Sequence, residues 1–363
     1  MGYEVDFLAV GTESQSGDAI AIRLWEGADH SRQAVIVVDG GFADSGTALV
    51  KHIRDCYGTP HVDLVVSTHP DGDHSSGLKA ILEECTVGAL WMHQPWNHTH
   101  GISDYFKNGR VTDAGVRREL KRSLEDAFDL ETLARQKGIP IAEPFTGLST
   151  AGLGATIQVL GPTQAYYESL LPLFRGTPEP VQAVGSFQKI IQAAGETVRR
   201  VAETWGIETL NDAGETSAEN NSSAILLLTI GTDRLLFTGD AGIPALHGAA
   251  GRLGELGVGP ANLSFVQVPH HGSQRNVGPA VLTRLLGPRQ EVEQRIRTAF
   301  VSAARGGKPK HPSKRVMNAF RRRGSPVHGT DEGQNKWHRT IDAPPRSNYV
   351  DSIPHPLYNE VDD

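Results

Sequence analysis

His69-Pro70-Asp71-Gly72-Asp73-His74 sets two imidazoles and two carboxylates within six consecutive residues. Both groups are ligands that divalent metals accept. The stretch follows Val62–Ser67, a short run rich in β-branched apolar residues that reads as a buried central strand. Leu78–Glu84 then reads as a helix, so the four side chains are expected on a strand-to-helix loop, where they can converge on one space. Loops held by buried strands are where rigid scaffolds place functional groups. A solvated loop using Asp-Gly as a turn former and helix cap would look the same in isolation.

Three other strand ends argue against that plainer reading. Leu235-Leu236-Phe237-Thr238-Gly239-Asp240 puts a carboxylate directly after an apolar strand. Phe265-Val266-Gln267-Val268-Pro269-His270-His271-Gly272-Ser273 puts two histidines after another, and Phe300–Ser302 leads through a Gly/Lys loop to His311-Pro312-Ser313. One such ending is commonplace; four ending in ligand-type residues are hard to obtain by chance. In a sheet-based α/β protein they can share one edge, where sites form.

Outward from these phrases, Val5–Val10, Ala19–Leu24, Ala34–Val38 and Val87–Met92 read as strands, and Thr47–Cys56 as a helix. Asp39-Gly40-Gly41 reads as a turn. The β pattern resumes at Ala224–Ile230, Arg234–Thr238, Leu263–Val268 and Thr298–Ser302, with helices expected at about 278–286 and 313–323. Between the two blocks, Leu120, Leu124, Phe128, Leu130, Leu133 and Ala134 recur at helical spacing until Gly138 and Pro140 stop the run. Thr156–Leu160 is a short strand, and 164–174 and 186–205 read as helical. Two β-rich halves flanking helices fit an αββα sandwich. The expected organisation is one domain over 1–342, with a helical insertion at about 100–219. Within it, 163–219 lies over one face or forms a plain helical layer. The Pro-, Asp- and Asn-rich tail 343–363 is expected to be loosely ordered.

Composition removes several classes. With 38% apolar and 21% charged residues the chain is globular, not disordered. A formal charge of −7 means the whole molecule does not attract nucleic acid, although a local basic face is compatible with it. Two cysteines, Cys56 and Cys85, cannot make a disulfide framework or a thiolate zinc site, and suit a reducing cytosol. The first residues enter a strand without the basic and apolar regions of a secretory signal. Apolar runs such as Ala224–Ile230 fall short of the ~18–20 residues needed to span a bilayer. A cytoplasmic protein with no membrane contact is expected.

The phrases and their order resemble the metallo-β-lactamase fold superfamily, whose loop signature is His-x-His-x-Asp-His. More specifically, they are similar to the soluble hydrolase domain attached to the bacterial DNA-uptake channel of natural competence. Domains of that type read Ser/Thr-His-Pro-Asp-x-Asp-His, as Thr68–His74 does, after Gly-Asp-Ala-Ile (Gly17–Ile20) and Asp-Gly-Gly (Asp39–Gly41). They continue with Asn-x-Ser before a strand, Thr-Gly-Asp-Ala (Thr238–Ala241), Pro-His-His-Gly-Ser (Pro269–Ser273) and His-Pro (His311-Pro312). The resemblance covers about 1–95 and 220–335. Residues 100–219 match poorly, and none of the 363 residues resembles that family's membrane channel.

The resemblance implies two divalent metal ions. His69 and Asp71 would bind the first, Asp73 and His74 the second, and Asp240 would bridge them. His270 would complete the second site, with His271 beside it as a support or substrate contact. The superfamily's further histidine on the first metal falls at Glu219-Asn220-Asn221-Ser222-Ser223, which has none. His93, His98 and His100 are alternative ligands, or else members of a surface loop. Asp71 in place of the usual histidine enriches the cluster in oxygen and shifts preference toward Mn²⁺ or Mg²⁺, with Zn²⁺ still compatible. Asp73 would orient a metal-activated water, and His271 or His311 would assist the leaving oxygen.

A nuclease-like role on DNA follows from the resemblance. Lys308, Lys310, Lys314, Arg315 and Arg321-Arg322-Arg323 would supply a positive surface around His311, or a solvated helix face. The reading is a phosphodiesterase or nuclease acting on a nucleic acid or nucleotide. A hydrolase of a non-phosphate ester, lactone or amide is the alternative. So is a catalytically poor metal module meeting a protein partner through the insertion.

Overall fold

The structure is a computed structural model in which residues 1–13, 15–27, 30, 32–106, 108–178, 200–306, 311–347, 349 and 351–362 are described. Apolar runs in the N-terminal block form β1 (Gly2–Phe7), β2 (Ala19–Glu26), β3 (Arg32–Gly40), β4 (His61–Val66) and β5 (Thr86–Trp91). Between them lie α1 (Ala43–His52), which runs on into a wide turn over Ile53–Tyr57, then α2 (Gly72–Ser75) and α3 (Leu78–Glu84). Next come α4 (Asp113–Ser123), α5 (Glu125–Gln136), β6 (Ile141–Ala142), β7 (Ser149–Gly152), β8 (Ala155–Gly161), α6 (Gln164–Leu170), β9 (Arg200–Ala202) and α7 (Ala218–Asn221). The C-terminal block holds β10 (Ile225–Ile230), β11 (Asp233–Phe237), α8 (Ile243–Glu255), β12 (Phe265–Gln267), α9 (Pro279–Leu286) and β13 (Thr298–Val301). It ends with α10 (Lys314–Arg321), β14 (Val327–Gly329), β15 (Lys336–Arg339) and β16 (Glu360–Asp362).

Two seven-stranded sheets result, ordered β15-β1-β2-β3-β4-β5-β6 and β14-β13-β12-β11-β10-β8-β7. Strand β10 shows why they stack. Leu226, Leu228 and Ile230 enter a core shared with Val5, Phe7, Ile22 and Val66 of the first sheet, while Ile225 and Leu227 face helices α8 and α9. This is the two-residue period of a strand buried on both faces. The outer face of the first sheet is covered by α1, α3, α4 and α5, and that of the second by α8, α9 and α10. The architecture is therefore the αββα sandwich that the two β-rich halves imply. Strands β3-β4-β5-β6 are parallel, and so are β11-β12-β13-β14. Their carboxyl ends deliver successive loops to one edge, the usual place for a site in such sheets.

Three expectations are corrected. The described part of residues 100–219 is not laid on a finished sandwich: β6 extends the first sheet, β7 and β8 extend the second, and Val116, Leu120, Leu124, Ala127 and Leu130 fill the first sheet's outer core. From β6 to β7 the chain crosses between the sheets. Of the expected helix 186–205, residues 186–199 lie outside the described residues, and Arg200–Ala202 is a strand paired with β16. The tail, expected to be loose, docks: Val361 is fully buried, and Arg346 reaches Asp6 at 2.8 Å. Helix α8 went unread because Gly248, Gly251 and Gly254 weaken its local propensity. Burial of Leu246, Ala249 and Leu253 holds it instead.

Candidate metal centre

Asp39 closes β3, the His69–His74 loop leaves β4, Asp240 follows β11, His270 and His271 follow β12, and Ser302 follows β13. These ends meet at one edge. His69 Nε2 lies 3.6 Å from Asp71 Oδ2 and 3.9 Å from Asp240 Oδ2. His74 Nε2 lies 3.4 Å from Asp240 Oδ1 and 3.9 Å from Asp73 Oδ2. His271 Nε2 is 3.7 Å from Asp73 Oδ2 and 3.9 Å from Asp240 Oδ2, and His270 Nε2 is 3.6 Å from Asp240 Oδ2. Asp240 thus faces all four imidazoles, as a bridging carboxylate would.

These separations are too long for hydrogen bonds. They suit pairs of ligand atoms sharing an ion at about 2.0–2.2 Å from each. Three of the four ring nitrogens, Nε2 of His69, His74 and His271, are buried without a hydrogen-bond partner, as is Asp240 Oδ1. Leaving such atoms unpaired costs free energy, so a residue set of this kind fits divalent cations.

Each imidazole is also held by its other nitrogen. His74 Nδ1 lies 2.8 Å from Asp39 Oδ2, and His271 Nδ1 lies 3.0 Å from the Ser302 carbonyl oxygen. His69 Nδ1 is 3.1 Å from Thr68 Oγ1, and His270 Nδ1 is 2.7 Å from Asn276 Oδ1. A proton placed on Nδ1 by these acceptors leaves the Nε2 lone pair facing the cluster. Asp39 is the hub of this support: it also accepts the Thr68 N–H at 2.8 Å and the Thr68 hydroxyl at 2.7 Å.

The electrostatics favour positive charge here. Burial opposes ionisation of His74, but Asp240, Asp39 and Asp73 drive its pKa well above the ordinary value. Against the same burial, Asp240 and Asp73 push His271 up to about 9. Burial works to raise Asp240, yet His270, His74 and His271 hold it well below the usual carboxylate range. Asp18, fully buried and bonded at 2.9 Å by Gln267 Nε2, is pushed up by burial.

The backbone is shaped to this geometry. His270 and His271 both take left-handed φ (47° and 54°), a strained conformation for residues with a Cβ. Gly272 (φ 79°) completes the turn, and a Cβ there would stand 2.7 Å from Pro312 Cβ. Gly239 (φ 49°) similarly leaves no room for a side chain beside Thr68.

The loop at 69–74, Asp240, His270 and His271 are thus brought together at one edge. Of the two adjacent histidines, His271 is the one that lies with Asp73 and His74, where His270 was expected, and His270 reaches Asp240 at 3.6 Å. In the segment where a further histidine is lacking, Asn220 lies beside the His270 ring and donates its Nδ2 to Thr216 Oγ1 at 2.7 Å. His311 stacks 6.2 Å from the His270 ring at the edge of the cluster. Burial first, then His270 and His271, hold it down at about 4. His93, His98 and His100 stay outside. His93 is no surface residue but is buried against Tyr167, His98 pairs with Glu143 and Glu168, and only His100 is exposed.

Asp18 and Asp39 went unassigned in the sequence. Both sit in phrases that carried the resemblance, Gly17–Ile20 and Asp39–Gly41, but Asp39 read simply as a turn. The expected positive surface is corrected too. Lys308 and Lys310 lie outside the described residues, Arg315 is buried, Arg322 pairs with buried Glu203 at 2.9 Å, Arg323 with Glu208 at 2.6 Å, and Arg321 with Glu293 at 2.7 Å. Apart from exposed Lys314, the described run fastens α10 to its neighbours instead of facing solvent.

Four layers with a His/Asp cluster on loops at one edge of both sheets define the metallo-β-lactamase type of fold. No protein-family model and no curated protein sequence matches the chain. Solved structures that resemble it include a metallo-β-lactamase fold protein, YhfI, from Bacillus subtilis, at 9% identity and TM-score 0.40 over 93% of this chain and 100% of that one. A diphosphatase of the PhnP family matches at 10% identity and TM-score 0.40, over 93% and 98% of the two chains. The CmlA β-hydroxylase E377D mutant matches at 12% identity and TM-score 0.44, over 92% of this chain and 54% of that one, so this chain spans about half of that enzyme's length. Likenesses this distant carry no functional weight. The architecture rests on sheet order and the cluster on its distances.

Proposed function

We propose that this protein is a metal-dependent hydrolase that cleaves phosphodiester bonds, as a phosphodiesterase or nuclease. The observation that carries the reading is the convergence of His69, His74, His270 and His271 on Asp240, with Asp71 and Asp73 at the rim. His69, Asp71, His270 and Asp240 would hold one ion, and Asp73, His74, His271 and Asp240 the other. Two divalent ions, zinc or manganese with magnesium also compatible, supply a lowered water pKa and neutralise charge on the attacked group.

The chain's own residues supply the rest. Asp73 meets His74 and His271 through Oδ2, which leaves Oδ1 to orient the attacking water. His271 Nδ1 is taken by the Ser302 carbonyl oxygen and its Nε2 would be taken by an ion, so His311 is the better-placed imidazole to contact the leaving oxygen. Two arginines favour an anionic substrate. Arg175, 47% exposed, pairs with Asp71 at 2.7 Å, and exposed Arg275 exerts its charge on His311. A phosphodiester carries one negative charge that a neutral ester or lactone lacks. With α10's arginines turned inward, a nucleotide-sized diester is as well served as a DNA strand.

The test is turnover with Mn²⁺ or Zn²⁺ on a chromogenic phosphodiester, single-stranded DNA, cyclic nucleotides and a non-phosphate ester. Asp73→Ala is expected to abolish phosphodiester turnover, and His98→Ala, outside the cluster, to keep it. Near-native turnover in Asp73→Ala, or turnover on the neutral ester alone, would overturn the reading.

A further inference from the structure

Strand β1 alternates. Val5 and Phe7 enter the core between the sheets, so Glu4 and Asp6 face the helix-covered side. There Asp6 meets α1. His52 Nε2 lies 2.7 Å from Asp6 Oδ2, and Cys56, four residues on along the same face, places Sγ 3.6 Å from His52 Nδ1. Asp6 is 1% exposed and is held further by the Tyr57 hydroxyl at 2.7 Å and by Arg346 Nη2 at 2.8 Å. We propose that Cys56, with His52 as its base and Asp6 as the orienting carboxylate, is a reactive nucleophile for small electrophiles of the hydroperoxide class. The arrangement shares no residue with the metal cluster and stands independently of the function proposed for it.

A nucleophile beside a base that a third group orients is the geometry that activates a thiol. The charges facing Cys56 support it. Arg23 pairs with Glu4 at 2.6 Å and Arg346 with Asp6, so two arginines balance two carboxylates and the imidazolium of His52 is left to the sulfur. Lys51 and Asp55, exposed on the same turn, pair with each other. Arg346 closes the arrangement from the other side: its side chain is 8% exposed, held by Glu4 and Asp6, and it bonds the Cys56 thiol as well. It is a fixed donor beside the thiol, suited to an oxygen carried by sulfur. Burial works to lower His52, yet Asp6 and Cys56 bring it to about 9; His52, and after it Arg346, bring the Cys56 thiol down. Cys56 is half-buried and open to solvent, whereas Cys85 is buried and pushed up by that burial.

The step balances. The Cys56 thiolate attacks the terminal oxygen of ROOH, an S–O bond forms and the O–O bond breaks. Sulfur loses two electrons and the peroxide gains them. RO⁻ leaves with the proton of His52 as ROH, and Cys56 becomes a sulfenic acid.

The full-length protein is tested by iodoacetamide alkylation against pH, and by dimedone trapping after hydrogen peroxide, with peptide mapping of Cys56 and Cys85. The alkylation midpoint of Cys56 is expected at least about one unit below the ordinary ~8.5. The dimedone adduct is expected on Cys56 and to be absent from Cys56→Ser. His52→Asn should raise the midpoint, and Arg346→Lys should raise it less. A wild-type midpoint at or above ~8.5, an adduct on Cys85 but not Cys56, or an unchanged midpoint in folded His52→Asn overturns the proposal. If His52→Asn does not fold, the wild-type profile decides alone.

Discussion

Asp39 touches no proposed substrate, yet three of its contacts fix the cluster: the Thr68 N–H, the Thr68 hydroxyl and His74 Nδ1. Asp39→Asn is expected to weaken metal affinity about 10–100-fold, as loss of a ligand's hydrogen-bond partner typically does. Competition against a chelator reads this directly, and unchanged affinity would remove Asp39 from the support. The pair of adjacent histidines gives a second residue-level prediction. Since both reach Asp240, His270→Ala should lose one of two metal equivalents by elemental analysis. Retention of both would remove His270 from the ligands.

At the level of elements, helix α10 separates two readings of one charge run. On a basic face its arginines would be dispensable for stability. Arg322 instead is fully buried, bonds Glu203 and donates to the Thr204 and Ile207 carbonyl oxygens. Arg322→Met would leave Glu203 a buried carboxylate without the arginine that balances its charge, and the expected loss is roughly 3–5 kcal/mol. Denaturant melts check it; a change within about 0.5 kcal/mol, typical of exposed sites, would restore the solvated-face reading. The crossover elements follow the same logic. Helices α4 and α5 are apolar at helical spacing because they cover the first sheet, so the pattern identified the helices but not that they belong to the core.

For the whole molecule, buried neutral histidines set the acid limit. Burial, reinforced by His98, holds His93 down to about 3, and burial holds His328 and His338 at about 4. A group whose pKa is depressed on folding stabilises above its unfolded value, near 6.5, and that contribution is lost as pH falls toward the folded one. Stability should therefore fall between pH ~6.5 and ~4. His93 stacks on Tyr167 (4.4 Å) and Phe145 (4.8 Å), and neither of its ring nitrogens has a partner, so phenylalanine fits there without titrating. Relative to its effect at neutral pH, His93→Phe should gain roughly 2–3 kcal/mol at pH 4.5. Parallel melting curves for the two proteins across pH would show that His93 does not titrate as argued. Among the described residues, no helix is long and apolar enough to cross a membrane.

How much was legible follows the range of the forces involved. Strand period, strand ends and the His/Asp loop are local, so the αββα layers could be read from the chain, and His69, Asp71, Asp73, His74 and Asp240 could be singled out there as candidates. Asp39 and Asp18 could not be assigned, because a carboxylate in a turn shows its purpose only when His74 or Gln267 arrives from far along the sequence. Which of His270 and His271 faces Asp73 depends on two consecutive left-handed residues, a backbone choice that no side-chain pattern encodes. The inward turn of Arg322 and Arg323 needed Glu203 and Glu208, more than a hundred residues away in sequence. The docked tail likewise needed Asp6 and Glu4 at the opposite end of the chain. The sequence by itself determined the layers and the chemical kind of the site. Tertiary structure decided which polar groups are paired and which are left free to react, because burial and charge compensation act between residues that only the fold brings together.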